Sequence, residues 1–178
     1  MKNPNTLPSF SSLVSLCGEQ ANAKANRLGE KYMQIETMRV SDIDSVIPLY
    51  IDYYNHHEGA CWTEAAAKKC IRQILTMEDS CSLILKDDQG EACGFAMGYF
   101  KQYDDLVGYI LEEIVIAYRC QNQGLGSMLL SALEAKVREA GASSVQLQAV
   151  NDAMHERYYG KAGYQNVKNL IPKVKWLV

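Results

Sequence analysis

The strongest constraint on the fold of this chain is a glycine-bearing turn between an apolar run and an amphipathic helix. The run at 114–117 predicts the end of a strand, and the pattern at 127–137 predicts a helix. Gly124 and Gly126 stand between them. The first N–H groups of a helix lack partners within it and carry partial positive charge. Because glycine has no Cβ, an anion can approach this backbone closely. The turn therefore predicts a phosphate or pyrophosphate site.

Local sequence alone also allows a second interpretation, in which the two glycines form an ordinary turn before a helix. Two familiar phosphate loops are excluded. The chain has no Gly-Lys-Ser or Gly-Lys-Thr after the turn, so the loop is not of the ATP-binding type. The three-glycine dinucleotide fingerprint is also missing.

Composition limits the class of protein. The 178 residues suffice for one domain with a sizeable core. The net charge of −3 leaves no basic excess to neutralise phosphates, so nucleic acid is not an expected partner. No apolar run is long enough to span a bilayer, and none near the N-terminus has the form of a secretory signal. We expect a cytoplasmic protein with no membrane partner.

The cysteines support the same compartment. None forms a C-x-x-C pair, and they are scattered over predicted helices and strands. We expect reduced thiols rather than disulfides or metal ligands, and no metal site. The six positions are Cys17, Cys61, Cys70, Cys81, Cys93 and Cys120.

Hydrophobic periodicity predicts alternating strands and helices with a hairpin in the middle, and therefore an α/β or α+β fold around a mixed central sheet. Residues 1–30 are expected to form an N-terminal extension, either helical or a loosely ordered arm. The predicted strands cover 32–39, 82–86, 92–100, 108–117, 144–150, 164–169 and 172–177. The predicted helices run from a capping sequence at 41–44 to about Tyr54, over 63–75, from the glycine turn to Gly141, and over 152–162.

Two motifs resemble signatures of the GNAT superfamily of N-acetyltransferases. The first, Gln121-x-x-Gly124-x-Gly126, is similar to the Arg/Gln-x-x-Gly-x-Gly/Ala loop that binds the pyrophosphate of acetyl-CoA in that family. The second is an Asn after a strand followed by a helix with Tyr-x-x-x-Gly-Tyr, here Asn151 and Tyr159 to Tyr164. The resemblance covers about residues 33–178. It implies a mostly antiparallel GNAT-like sheet flanked by helices, a single N-acetyltransferase domain over 31–178, and acetyl-CoA as co-substrate.

The resemblance also implies the cofactor contacts. The backbone of the strand before the loop is expected to pair with the pantetheine arm like an added strand. Asn151 is expected to bond that arm or to cap the helix after it, and both can hold at once. The implied cofactor-binding residues are Ile114, Val115, Ile116, Gln121, Asn122, Gln123, Gly124, Leu125, Gly126, Ser127, Asn151 and Tyr159.

Glu112 is the candidate general base. The strand at 109–116 resembles the Tyr-x-Glu-Asp-x-x-Val strand of diamine acetyltransferases, in which the matching Glu faces the acceptor amine. Strand alternation places Glu112 on one face with Ile110 and Ile114, and Glu113 on the other. A carboxylate in an apolar wall is suited to base chemistry. A structural ion pair is the alternative, and Glu113 is the second candidate for the base.

Tyr159 is the candidate general acid, because a phenol stays protonated near neutral pH and can donate to a departing thiolate. Its alternative is a core aromatic. Tyr54, His56 and Trp62, together with Glu112, are the candidate substrate-binding residues. Each has an alternative explanation. His56 would also fit an ordinary polar loop, and Tyr54 and Trp62 would also fit the core.

These features predict an enzyme that moves an acetyl group from acetyl-CoA to a primary amine of a small molecule, such as a polyamine, amino sugar or amino-acid derivative. Transfer is direct, in a ternary complex. The alternatives are a protein N-terminal or lysine acetyltransferase and, from another class, a non-catalytic acetyl-CoA-binding module. A homodimer is a possible assembly, since dimers are common in the family.

Overall fold

The computed structural model describes residues 26–28 and 31–177. The strands are β1 (Asn26–Leu28), β2 (Lys31–Thr37), β3 (Leu83–Lys86), β4 (Ala92–Gln102), β5 (Val107–Ile116) and β6 (Ser144–Leu147). The helices are α1 (Ile43–His57), α2 (Glu64–Leu75), α3 (Leu125–Glu139) and α4 (Ala153–Lys161). The predicted N-terminal arm lies outside the described residues except for β1.

The strands form one sheet in the order β1-β2-β3-β4-β5-β6. Every neighbouring pair is antiparallel except β5 and β6, which are parallel. A parallel pair needs a crossover, and α3 supplies it between β5 and β6. The predicted fold class, a mixed and mostly antiparallel sheet with helices, is confirmed.

Helices α1 and α2 bury one stripe each. α2 begins at a side-chain cap, whereas α1 follows a short 3-10 turn at Val40–Asp42. The Asp42 carboxylate accepts from the Arg39 N–H at 2.8 Å before α1, and Thr63 Oγ1 accepts from the Ala66 N–H at 3.3 Å at the start of α2. The buried positions lie three or four residues apart, as an amphipathic helix requires. They are Ile43, Val46, Ile47 and Tyr50 in α1, with Leu49 also buried beside this stripe, and Ala67 and Ile71 in α2.

The chain divides into two compact units, one ending at Leu147 and the other beginning at Gln148. In the second unit, α4 starts where Asp152 Oδ1 accepts from the N–H groups of Met154 and His155, both at 2.8 Å. The helix ends before Gly163, whose φ of 89° is left-handed. The single-domain boundary at 31–178 stays a prediction.

The two strands expected at 164–169 and 172–177 are not formed, since residues 164–177 hold no strand in the described structure. The apolar residues Val167, Val174 and Trp176 are 58%, 73% and 79% exposed. Pro172 has no N–H to give to a ladder, but it stands at the first position of the second predicted strand, where proline is tolerated, so the local sequence does not exclude this strand. The predicted strand at 144–150 also ends early, at Leu147. Local apolar content is therefore not a sufficient signal for a strand in these C-terminal segments.

In the part of the chain described, no helix has both the length and the apolar character that crossing a membrane requires.

Candidate active site

The glycine turn is a tight left-handed bend that opens onto α3. Asn122 and Gly124 have φ of 59° and 78°, and Gly124 is the residue before the first helical turn. No side chain caps that turn, and the first intrahelical bond described runs from the Met128 N–H to the Gly124 carbonyl at 3.0 Å. The N–H groups of Leu125, Gly126 and Ser127 thus stand at the positive end of a 15-residue helix. This is the geometry an oxyanion needs.

The side chains of the loop brace its backbone. Gln121 Nε2 donates to the Ile116 carbonyl at 3.0 Å, and Gln123 Nε2 donates to the Arg119 carbonyl at 3.2 Å. The Arg119 guanidinium donates to the Ala92 carbonyl at 2.9 Å and lies 3.5 Å from Glu91. Gln121 and Gln123 thus hold the loop through their amides, while Arg119 is engaged at the start of β4.

One edge of β5 is open beside this loop. β6 pairs with β5 only at residues 108–111, so no described strand pairs with that edge over residues 112–116. On its other side β5 is paired with β4 up to Ile116. Ile114, Val115 and Ile116 therefore offer a backbone edge that leads directly towards the glycine turn. An extended amide chain can pair there as an added strand.

A β-bulge at Glu112 changes the faces of β5. Glu113 pairs with Met97 and Leu111 pairs with Gly98, so Glu112 has no partner in the ladder. Phe95, Met97 and Tyr99 share one face of β4, and Phe95 stacks on Tyr50 of α1 with ring centroids 6.2 Å apart. Glu113 faces α1 with them.

Glu112 lies on the same face. Burial first, and then the charge of Glu112 and a hydrogen bond to it, raise the pKa of Tyr99. The expectation that Glu112 and Glu113 point to opposite faces is therefore wrong, because the bulge adds a residue to one strand and interrupts the two-residue period. Glu112 is exposed on this face, whereas Glu113 is partly buried.

The Glu113 carboxylate is held by two phenols of α1. Tyr54 donates to Oε2 through a short hydrogen bond, and Tyr50 donates to Oε1 at 3.2 Å. Burial raises the pKa of Glu113, the two tyrosine bonds lower it, and the charges of Glu112 and Glu58 raise it again. The net effect is a raised pKa. Tyr50 carried no signal in the sequence beyond its place in an apolar helical stripe.

We expect Glu113→Gln to stabilise the folded protein at pH 8 but not at pH 4. A carboxyl with a raised pKa in the fold contributes stability below its unfolded pKa, and that contribution is lost as pH rises through the folded pKa. Gln stays neutral at both pH values. Each kcal/mol regained is worth roughly 2–4 °C in a chain of this length. Thermal melts of both proteins at the two pH values measure this, and an equal Tm difference at both would contradict it.

An aromatic cluster surrounds the two phenols. The Trp62 ring lies 5.1 Å from Tyr50 and 6.3 Å from Tyr54 by centroid distance. Asn55 fixes this residue, because its Oδ1 accepts from the Trp62 N–H at 2.7 Å and its Nδ2 donates to the Trp62 carbonyl at 3.0 Å. Two predicted substrate residues, Tyr54 and Trp62, are thus brought together near Glu113. Asn55 was not expected to take part.

His56 lies apart from this cluster. Its side chain is 74% exposed, and Nδ1 is 2.9 Å from the Asp52 carboxylate one helical turn earlier. The neighbouring His57 instead stacks on Tyr118, with centroids 5.4 Å apart. In the described part of the chain, no group of three His, Cys, Asp or Glu residues is placed to hold a metal ion.

Three carboxylates near Tyr54 differ from Asp44 and Asp52 of α1, which lie 2.6 Å from Lys68 Nζ and 2.9 Å from His56 Nδ1. Within the described residues, no Lys or Arg forms an ion pair with Glu58, Glu112 or Glu113. The hydroxyls of Tyr50 and Tyr54 donate to Glu113, and Tyr99 lies beside Glu112. This face of the sheet is therefore electronegative, and it attracts cations.

The second unit carries Asn151 and Tyr159. Asn151 is exposed and precedes Asp152, which caps α4, so the capping alternative falls to Asp152. The Tyr159 ring packs against Tyr158 and Tyr164 at centroid distances of 4.9 Å and 5.5 Å. The Tyr164 N–H closes the end of α4 by donating to the Tyr159 carbonyl at 3.0 Å. The Tyr-x-x-x-Gly-Tyr motif thus builds the C-terminal end of this helix.

Comparison with solved structures shows the same fold in other acetyltransferases. Glucosamine-6-phosphate N-acetyltransferase from Arabidopsis thaliana matches 82% of this chain and 99% of its own at 15% identity and a TM-score of 0.62. An aminoglycoside N-acetyltransferase in complex with CoA matches 84% and 99% at 18% identity and 0.64. Ribosomal-protein-alanine N-acetyltransferase from Brucella melitensis biovar Abortus 2308 matches 81% and 99% at 16% identity and 0.63.

A search of curated proteins gave no match. The family comparison matches residues 43–164, more than half of the chain, to the Acetyltransferase (GNAT) family. This range includes the glycine loop, the strand before it and the Tyr-x-x-x-Gly-Tyr motif, and it confirms the resemblance inferred from the sequence. The chain belongs to the GNAT family, and the protein is an acetyltransferase.

Proposed function

We propose that this enzyme transfers the acetyl group of acetyl-CoA to a primary amine of a small molecule, directly and in a ternary complex. One observation carries the proposal. The open edge of β5 runs from the exposed carboxylate of Glu112 to the turn at the positive end of α3. A single strand therefore connects a candidate base with a candidate pyrophosphate site.

The residues present fit acetyl-CoA. The edge of β5 that faces away from β4 at Ile114–Ile116, where the Ile116 carbonyl already accepts from Gln121 Nε2, suits the pantetheine amides, and the N–H groups from Gly124 to Ser127 suit the pyrophosphate. A Cβ at Gly124 would meet open space, so the backbone there is accessible. Asn151 is our candidate for a further bond to the pantetheine arm. When bound, acetyl-CoA supplies the activated acyl group and a thiolate leaving group.

The protein residues would then manage protons and position. Glu112 takes a proton from the acceptor ammonium, directly or through water, which frees the nitrogen lone pair to form the C–N bond. The C–S bond would break with its electron pair on sulfur, and Tyr159 would give that sulfur a proton. The nitrogen would lose its second proton as the amide forms, which restores the Tyr159 phenol. The products are an amide and a free thiol. Holding both reactants together itself supplies several kcal/mol.

The residues that we propose for acceptor binding favour a cationic small molecule as the acceptor. Tyr54 and Trp62 form an aromatic wall beside two carboxylates for which the described residues supply no basic partner, and such walls favour ammonium groups. The exposed His56 stays a candidate substrate-binding residue at the edge of the acceptor site. Similar structures bear the names of amino-sugar and aminoglycoside acetyltransferases, although one is named for a ribosomal protein. A protein acceptor is therefore the second candidate, and a non-catalytic acetyl-CoA-binding module is the third.

A thiol-release screen tests these candidates. The protein is incubated with acetyl-CoA and, separately, with polyamines, amino sugars, aminoglycosides, amino-acid derivatives and peptides. We expect acceptor-dependent release with a small amine. Release only with peptides would favour the protein-acceptor alternative. Acetyl-CoA binding by calorimetry without release from any acceptor would favour a binding module.

Tyr159→Phe is expected to lower the transfer rate with little change in acetyl-CoA affinity, because the ring is kept and only the proton donor is lost. A well-placed acid contributes roughly 100-fold or more. Rates and calorimetric affinities of the two proteins make the comparison. The matched control is Tyr158→Phe on the same helix. If Tyr158→Phe lowers the rate as much as Tyr159→Phe, the hydroxyl of Tyr159 has no special role.

We expect all six cysteines to be free, and we infer a reducing, cytoplasmic environment from this. The five described cysteines form no disulfide. Burial, followed by a hydrogen bond to Cys120, raises the pKa of Cys93 to about 12, so this thiol stays protonated and inert. Mass spectrometry after alkylation of denatured, unreduced protein should show six modified thiols. A pair that reacts only after reduction would contradict the prediction.

We further propose that residues 31–178 act as one catalytic domain, and that homodimers form. Sedimentation measures the assembly state, and a monomer at working concentration would refute the dimer.

A further inference from the structure

Glu113 is a partly buried carboxylate beside the proposed base. Its two oxygens accept from different phenols, Tyr54 at Oε2 and Tyr50 at Oε1. Tyr50 is 1% exposed, and its ring stacks on Phe95 and meets the Trp62 ring edge to face. The donors are therefore fixed by packing, and the carboxylate they hold cannot turn freely.

Holding a carboxylate in this place is costly. Removing an ion from water is unfavourable unless hydrogen bonds or a counter-charge compensate. The hydrogen bonds from Tyr54 and Tyr50 offset part of the cost of burying the Glu113 charge. The negative charges of Glu112 and Glu58 increase that cost. Sites that reduce stability in this way are often functional.

The groups that face Glu113 come from every element packed around it. They are Tyr50, Tyr54 and Glu58 from α1 and its end, Cys70 from α2, and Glu112 from β5, with Tyr99 of β4 beside Glu112. None of them is a cation at neutral pH. A positive charge on a ligand would therefore be the compensating group that this cluster lacks.

We propose that Tyr54 and Tyr50 are positioning residues that hold Glu113 ionised, and that Glu113 determines the selection of a positively charged acceptor over a neutral one. The inference rests on the proposed function for the identity of the acceptor as an amine. It separates two roles within one pair of carboxylates. Glu112, exposed on the bulge, exchanges the proton, and Glu113, clamped behind it, supplies a fixed negative charge.

This arrangement, in which Tyr54 and Tyr50 hold the Glu113 carboxylate, is called the Glu113 clamp below, and it has a measurable effect on the pKa of Glu113. Each phenol bond favours the ionised form of Glu113, so removing one raises the pKa of this carboxyl further. Tyr54→Phe should have the larger effect, and Tyr50→Phe the smaller, because the Tyr50 bond is 3.2 Å long. Cation binding should then weaken as pH falls, and it should do so at a higher pH in Tyr54→Phe than in the parent.

The first arm of the test is a carbon NMR titration of glutamate carboxyls in the full chain. The Glu113 signal is identified by its loss in Glu113→Gln. We expect its titration to move to higher pH in Tyr54→Phe. The matched control is Tyr32→Phe, which removes a 51% exposed phenol on β2, three strands from β5. An unmoved Glu113 titration in Tyr54→Phe would overturn the clamp.

The second arm measures charge selection without catalysis. Tetramethylammonium, which has no nitrogen to acetylate, and neutral tert-butanol of similar size are titrated while the Trp62 indole signal is followed. We expect Glu113→Gln to weaken tetramethylammonium binding roughly tenfold and to leave tert-butanol unchanged. Equal tetramethylammonium affinity in Glu113→Gln and the parent would overturn the selection role. Because neither arm needs turnover, its outcome is independent of the thiol-release screen.

Discussion

Replacing Glu112 with Gln is expected to lower the rate of acetyl transfer by roughly 100- to 10,000-fold, the usual contribution of a well-placed acid or base. Gln keeps the size and the place on the bulge but cannot take a proton from the acceptor ammonium. The acidic limb of the pH–rate profile should also flatten, because the group that must be deprotonated for base catalysis is gone. Steady-state rates across pH, with the acceptor found by the thiol-release screen, measure both effects.

Two further variants make this result specific. Glu139→Gln removes an exposed carboxylate at the end of α3 and should leave the rate unchanged. Glu113→Gln should act mainly on the KM for the acceptor, since we assign Glu113 to charge rather than proton transfer. A larger loss of kcat in Glu113→Gln than in Glu112→Gln would exchange the two roles. If Glu112→Gln and Tyr159→Phe both turn over within about threefold of the parent, holding the two reactants together is enough for catalysis. The acid and base roles that we assign would then be wrong.

Gly124→Asp is expected to weaken acetyl-CoA binding by about 100-fold or more, because like charges brought together at a binding site cost several kcal/mol. The substitution places a carboxylate at the turn where we expect the pyrophosphate. It also puts a side chain on a residue with φ of 78°, a conformation that Asn and Asp tolerate better than most residues. Isothermal calorimetry with acetyl-CoA measures the affinity directly.

The turn offers controls for charge and for strain. Gly124→Asn has nearly the same shape and backbone requirement without the charge, so it should retain much more affinity than Gly124→Asp. Gly90→Asp carries the same charge on a residue with φ of 80° and open space, in the β3–β4 hairpin. It should bind acetyl-CoA like the parent. Parent-like binding by Gly124→Asp would place the pyrophosphate elsewhere.

The bulge at Glu112 shows where reasoning from one strand fails. The alternation of side chains along a strand predicts the face of the sheet on which each lies only where every residue pairs with one residue of the neighbouring strand. The extra residue in β5 is visible only in its register with β4, where Met97 meets Glu113 and Gly98 meets Leu111. No pattern in 107–116 alone contains that register. The interruption is what puts both carboxylates on the face of the sheet that packs against α1.

The Glu113 clamp depends equally on distant parts of the chain. Tyr50 and Tyr54 precede Glu113 by about sixty residues, and the helical period of α1 marks Tyr50 only as a buried position. The docking of α1 on β4 and β5 brings the three side chains together. Similarly, only the structure shows that residues 164–177 form no strand and leave Val167 and Trp176 exposed, although their apolar content favoured two strands.

The sequence by itself determined the local parts of this protein. The strand–turn–helix at 114–137, the helix that begins near Thr63, the central hairpin and the two family signatures depend on neighbours a few residues apart, so short-range sequence patterns predict them. The tertiary structure alone decided which edge of β5 stays open, on which face Glu112 and Glu113 lie, and which phenols hold Glu113. These depend on strand register and helix docking, which are set by contacts between segments far apart in the chain.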